Sequence, residues 1–138
     1  DQFKCKAKFI FIFGCPLESA RSVKQMTLKH TTAWCDEHIY NLAGRGDAKD
    51  LFQRDVLNYE NQIHSWYSGR GVFFFHLEDL WDKRWQLESF LGLKINLPER
   101  RARSKKEFDE HIDLKLFGRL KRIENQYRCK RTLPEDGG

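Results

Sequence analysis

Lys8-Phe-Ile-Phe-Ile-Phe13, running straight into Gly14-Cys-Pro16, is the stretch that decides the fold. Its residues are apolar and β-favouring without alternation, so it reads as a short strand buried on both faces. Pro16 has a preset φ and no N–H to leave unpaired, which suits the first position of a helix. From Leu17 onward, Ala20, Val23 and Met26 or Thr27 recur at helical spacing with Lys and Arg between them. The unit is therefore strand, tight turn, helix. A second bounded run, Val72-Phe-Phe-Phe-His76, comes more than fifty residues later. That length of mostly helical chain excludes a hairpin and matches a crossover between parallel strands.

The intervening chain predicts a helix over Thr31 to Leu42, with Trp34, His38 and Leu42 sharing a face and His38 a half-buried packing residue. Ala43-Gly-Arg-Gly46 ends it, and Asp47 is placed to cap the next helix. Asp47 to Tyr67 reads as one or two helices with Phe52, Val56, Tyr59 and Ile63 inward, closed by Ser68-Gly-Arg-Gly71. Beyond the second strand, Trp81 to Leu91 predicts an amphipathic helix stopped by Gly92, and the recurring tryptophans read as core packing. Ile112, Leu116, Leu120, Ile123 and Tyr127 mark a last helix over about Asp109 to Cys129. The expected architecture is a helix-rich α/β domain over 1–133, with a small parallel sheet, flanking helices and a frayed tail at 134–138. Two strands make a narrow sheet, so a third is expected from a partner chain or from a segment N-terminal to this one.

With 138 residues, 40% of them hydrophobic and 14% aromatic, the chain holds enough apolar surface for one core and too much for disorder. No apolar run approaches the roughly 18–20 residues of a membrane-spanning helix. The net charge is +5, and most of the excess lies beyond Pro98, in Arg100-Arg-Ala-Arg103-Ser-Lys-Lys106 and Arg128-Cys-Lys-Arg131. An anion is expected there. Cys5, Cys15, Cys35 and Cys129 are too far apart for metal-ligand pairs and read as thiols with no bound metal, which favours an intracellular chain over the alternative of a mature luminal or secreted form and leaves the compartment open.

Two motifs carry a resemblance. Phe9-Ile-Phe-Ile-Phe-Gly14-Cys-Pro16, with Ser22 six residues after the proline, resembles the element by which sulfotransferases hold the 3′-phosphate of 3′-phosphoadenosine 5′-phosphosulfate. His76-Leu-Glu-Asp-Leu-Trp81, followed by Phe90-Leu-Gly92, resembles a second stretch from the C-terminal half of that family, and it too follows an apolar strand. The resemblance spans about Lys8 to Ser104. It implies a partial sulfotransferase-like fold, related to that of P-loop nucleotide-binding proteins. It also implies a site for that cofactor or for adenosine 3′,5′-bisphosphate, with Ser22, Arg21, Arg100, Arg101 and Arg103 as phosphate contacts. Gly14 stands where the family has its phosphate-binding Arg, and Cys15 where Asp is common. No Gly-x-x-x-x-Gly-Lys-Ser/Thr loop occurs. The expectation is nucleotide binding without complete sulfotransferase chemistry in this chain alone. The alternative is a non-enzymatic module that binds a protein or RNA assembly through the basic last third.

Sulfuryl transfer needs a base for the acceptor's proton, so the five histidines are the residues to inspect. His76 has the best position among them, because it ends a strand where the clefts of α/β proteins open.

Overall fold

The computed structural model describes residues 7–67, 71–100 and 111–129. The two apolar runs are strands β1 (Phe9–Phe13) and β2 (Val72–His76), and they pair in parallel, with Phe9 opposite Val72 and Phe13 opposite His76. Over the described residues the protein is thus a helix-rich α/β protein with a two-stranded parallel sheet and five α-helices. These are α1 (Pro16–Lys29), α2 (Thr32–Asn41), α3 (Tyr59–Tyr67), α4 (Arg84–Leu91) and α5 (Leu114–Cys129).

Strand alternation divides the core into two. Val72 and Phe74 of β2 and Phe13 of β1 face one side, where they join Ala20 of α1, Cys35 and Ile39 of α2, Ile63 of α3, and Phe117, Leu120, Ile123 and Tyr127 of α5. Phe73 and Phe75 face the other side, against Leu87, Phe90 and Leu91 of α4 and Ile95 beyond it. Each such aliphatic or aromatic side chain removed from water contributes roughly 1.5–3 kcal/mol. Every residue of β2 is therefore buried. The expectation that β1 is buried on both faces is corrected: Phe9 is 51% exposed and Ile12 48%. Helices and loops cover both sides of β2, whereas this cover thins over β1, where only Phe13 is fully enclosed.

The turns reflect local chemistry. Pro16 sits in the first turn of α1, as its sequence position predicts. Helix α2 ends with Ala43 N–H donating to Tyr40 and Gly44 N–H donating to Ile39, the paired bonds of a Schellman motif. The left-handed residue of that motif is Ala43, at φ 55°, and not the neighbouring glycine. Gly44 is required one place later, because a Cβ there would stand 1.7 Å from the carbonyl oxygen of Val56. Asp47 caps a single 3-10 turn at Ala48–Asp50 through a reciprocal box with Asp50. Asp55 accepts from the N–H groups of Tyr59 and Glu60 and so starts α3.

Some expected elements shift. On α2 the buried residues are Cys35 and Ile39, and of the expected stripe Trp34 and Leu42 are only half-buried, Trp34 packing against the core. His38 is exposed and stacks on Trp34 with ring centroids 4.0 Å apart. The helix expected over Trp81 to Leu91 starts later, as α4 at Arg84 after a 3-10 turn at Leu77–Asp79 and the turn at 81–83, and ends on left-handed Gly92. The tryptophans are not all core residues either, since Trp85 is 65% exposed and Trp66 43%. Helix α5 is described from Leu114, while Asp109, Ser68-Gly-Arg70 and the 134–138 tail lie outside the described residues.

Candidate functional site

Parallel pairing brings the C-terminal ends of β1 and β2 to the same edge of the sheet, where α/β folds bind ligands. From β1 the edge receives Gly14, Cys15 and the start of α1. From β2 it receives His76 and the Leu77–Asp79 turn. The two meet directly: a Cβ placed on Gly14 would lie 3.7 Å from the side chain of Leu77, an ordinary contact. Residues more than sixty positions apart in sequence thus form one rim.

Beneath the rim is a buried polar network. The imidazole of His76 donates from Nε2 to Oε2 of Glu124 on α5 at 2.6 Å, and both side chains are 1% exposed. Its Nδ1 accepts from the N–H of Glu78 at 3.1 Å, so the neutral ring with its proton on Nε2 uses both nitrogens. Lys121 stands 2.8 Å from the other oxygen of Glu124, one turn earlier on the helix. Burial alone would raise the Glu124 carboxyl, but the hydrogen bond from His76 and the Lys121 ammonium hold it below the ordinary range. Next to it, Arg128 bonds Asp79 at 2.9 Å. Burial again pulls the Asp79 carboxyl upward, and Arg128 together with Lys83 outweighs it and holds the group low. His76 therefore sits at the predicted edge, enclosed within a network that ties β2 to α5.

The β1 side is more open. The hydroxyl of Tyr59 donates to the carbonyl of Gly14 at 2.7 Å, and burial, with the nearby acids, pushes this phenol well above its usual range. It is a fixed donor that holds the turn. Ser22 lies six residues into α1, about 9 Å along the axis from Pro16 at 1.5 Å per residue, and is exposed. Arg21 pairs with Glu18 at 3.1 Å. Arg100 bonds Glu78 at 2.9 Å and lies over the Trp81 ring. No hydrogen bond or ion pair among the described residues joins these three predicted phosphate contacts to one another, and Arg101 and Arg103 lie outside the described residues.

Beside β1, a cleft of about 190 Å³ opens between the start of α1, the 42–57 connection, α3 and α5. Its walls are mainly apolar, with Arg54, Asp55, Tyr59, Gln62 and Ser19 as polar members. Among the described residues no three His, Cys, Asp or Glu side chains gather as a metal site, and no helix is long and apolar enough to cross a membrane. Cys15, Cys35 and Cys129 are free thiols.

Glu124 and Arg54 were not singled out from the sequence. Glu124 had a signal: it stands four residues after Leu120 and three before Tyr127, on the buried stripe of α5, where an acid needs a partner. Arg54 had none, because its place depends on how an irregular connection folds. Compared with known proteins, the chain matches no family model, no curated protein and no solved structure.

Proposed function

We propose that this protein is a sulfotransferase-like domain whose rim, formed by Gly14-Cys15-Pro16 and His76-Leu77-Glu78, binds a 3′-phosphoadenosine-type nucleotide. The observation that supports this most is the contact of the two motifs across the parallel pair, at the edge where such ligands bind. Helix α1 opens from this rim with unpaired N–H groups, which favour an anion, and Ser22 adds a hydroxyl farther along. The Arg21–Glu18 pair is an i, i+3 surface pair worth only about 0.2–0.5 kcal/mol, so Arg21 exchanges it readily for a phosphate.

The RNA- or protein-binding alternative has less support. Among the described residues, Arg119, Lys121 and Arg128 of the basic last third pair with Glu60, Glu124 and Asp79, and Arg100 pairs with Glu78, while Lys115 and Arg122 form no ion pair. Cations committed to acids leave less charge for a phosphate backbone.

Calorimetric titration with adenosine 3′,5′-bisphosphate tests the reading. Saturable binding is expected, weakened about 1–2 kcal/mol by Ser22→Ala, the scale of a hydrogen bond to a charged group. RNA binding should be negligible at moderate salt. An absence of nucleotide binding, alongside RNA affinity that falls steeply with salt, would replace this reading with the alternative.

A further inference from the structure

We propose that the cleft beside β1 is a second ligand site, which takes a small aromatic carboxylate of about one ring, held by Arg54. Gly14 and Pro16 border both this cleft and the proposed nucleotide rim, so the two sites adjoin, but none of Ser22, Arg21 or Arg100 lines the cleft.

Size sets the first limit. A dry apolar cavity of about 150 Å³ accommodates benzene, so the 190 Å³ here suits one ring with a short substituent. The wall supplies matching surface in Phe11, Phe13, Ala20, Val56, Ile63 and Phe117, which favours an apolar, flat body.

Elimination among the polar lining residues sets the second limit. Ser19 donates its hydroxyl to Cys15 O, Tyr59 donates to Gly14 O, and the Gln62 amide donates to Leu57 O. Asp55 accepts two N–H groups at the start of α3, where the helix dipole offsets its charge. Each of these groups is committed to the fold. Arg54 differs: its side chain is exposed at the cleft, and it forms no ion pair with any acid of the described residues. An apolar chamber whose one uncommitted lining cation stands at the mouth is complementary to an apolar body with a single negative charge. Carboxylate suits a guanidinium because the two form parallel hydrogen bonds.

The test uses the whole chain and phenylacetate as the probe, followed by methyl and amide NMR shifts, with benzyl alcohol as the uncharged comparison and inorganic phosphate as a charge without the ring. Phenylacetate should shift the signals of Ala20, Leu51, Val56 and Ile63 saturably at millimolar concentration or below. Benzyl alcohol should shift the same signals more weakly, and phosphate should leave them unmoved. Arg54→Gln, at an exposed position, should weaken phenylacetate roughly fivefold, the upper scale for a partly solvated ion pair, and leave benzyl alcohol unchanged. The proposal is overturned if phenylacetate does not shift the cleft signals, if phosphate alone shifts them as much, or if Arg54→Gln binds phenylacetate as tightly as the parent chain.

Discussion

Strands β1 and β2 are paired residue for residue and have nearly the same composition, Phe-Ile-Phe-Ile-Phe against Val-Phe-Phe-Phe-His, yet every residue of β2 is buried while β1 is half open. The difference lies in what packs over each strand and not in the strands themselves. It extends to their ends. The end of β2 locks into α5 through His76 and Glu124, whereas the end of β1 becomes a turn tethered by Tyr59 and bordered by a cleft. One side of the rim is a fixed support and the other has room for a ligand.

The most severe way to break the comparison is to truncate both members of one rung. Phe75→Ala should cost about 3–5 kcal/mol, as for other buried Phe to Ala changes. Its partner Ile12→Ala should cost about 1 kcal/mol, because half of that side chain is already in water. Urea unfolding of the two variants measures the ratio, and equal losses would mean that β1 is as enclosed as β2.

Glu124→Leu comes next, with an expected loss of about 2–3 kcal/mol, since it leaves the buried Nε2–H of His76 without an acceptor. The double variant His76→Phe with Glu124→Leu should recover part of that loss, because an apolar pair carries no desolvation penalty. A double variant no more stable than the single would show that the pair contributes beyond its own satisfaction.

A smaller loss is expected in acid. Glu124 and Asp79 are held below their ordinary values of 4.5 and 3.8, so in that range the unfolded chain binds more protons than the folded one. Their contribution is complete above about pH 5 and declines as the pH falls through the folded values. Urea midpoints measured from pH 7 down to pH 3 should drop, and the drop should be shallower in the double variant.

The smallest stability effect is a gain. Ala43→Gly should stabilise by roughly 0.5–1 kcal/mol, since the left-handed conformation costs a residue with a Cβ about 1–2 kcal/mol and glycine gives back part of the difference through its freer unfolded chain. Thermal melts will show whether this turn, which borders the 42–57 connection and the cleft, carries that strain.

Legibility in the sequence divides along a similar line, between local and distant causes. The apolar runs, the proline at the start of α1, the cap at Asp47 and the glycine stop after α4 act over a few residues, and each appears where its local chemistry placed it. The buried face of α2 did not, because Trp34, His38 and Leu42 form as regular a stripe as Cys35 and Ile39, and only tertiary packing chooses between them. At the candidate site, His76 could be placed at the strand end from sequence, but its enclosure depends on Glu124, forty-eight residues away. The cleft was not legible at all, since its walls come from four separate parts of the chain.

The central claim is that the open end of β1 faces a nucleotide phosphate, and Gly14→Arg tests it most directly. Position 14 accepts a Cβ at ordinary contact distance from Leu77, so a side chain can start there without a backbone clash. Calorimetry of this variant with adenosine 3′,5′-bisphosphate should show affinity at least about tenfold tighter than the parent chain, the return for one charge-assisted contact. Unchanged or weaker affinity in a folded Gly14→Arg protein would contradict the claim that this turn holds a phosphate.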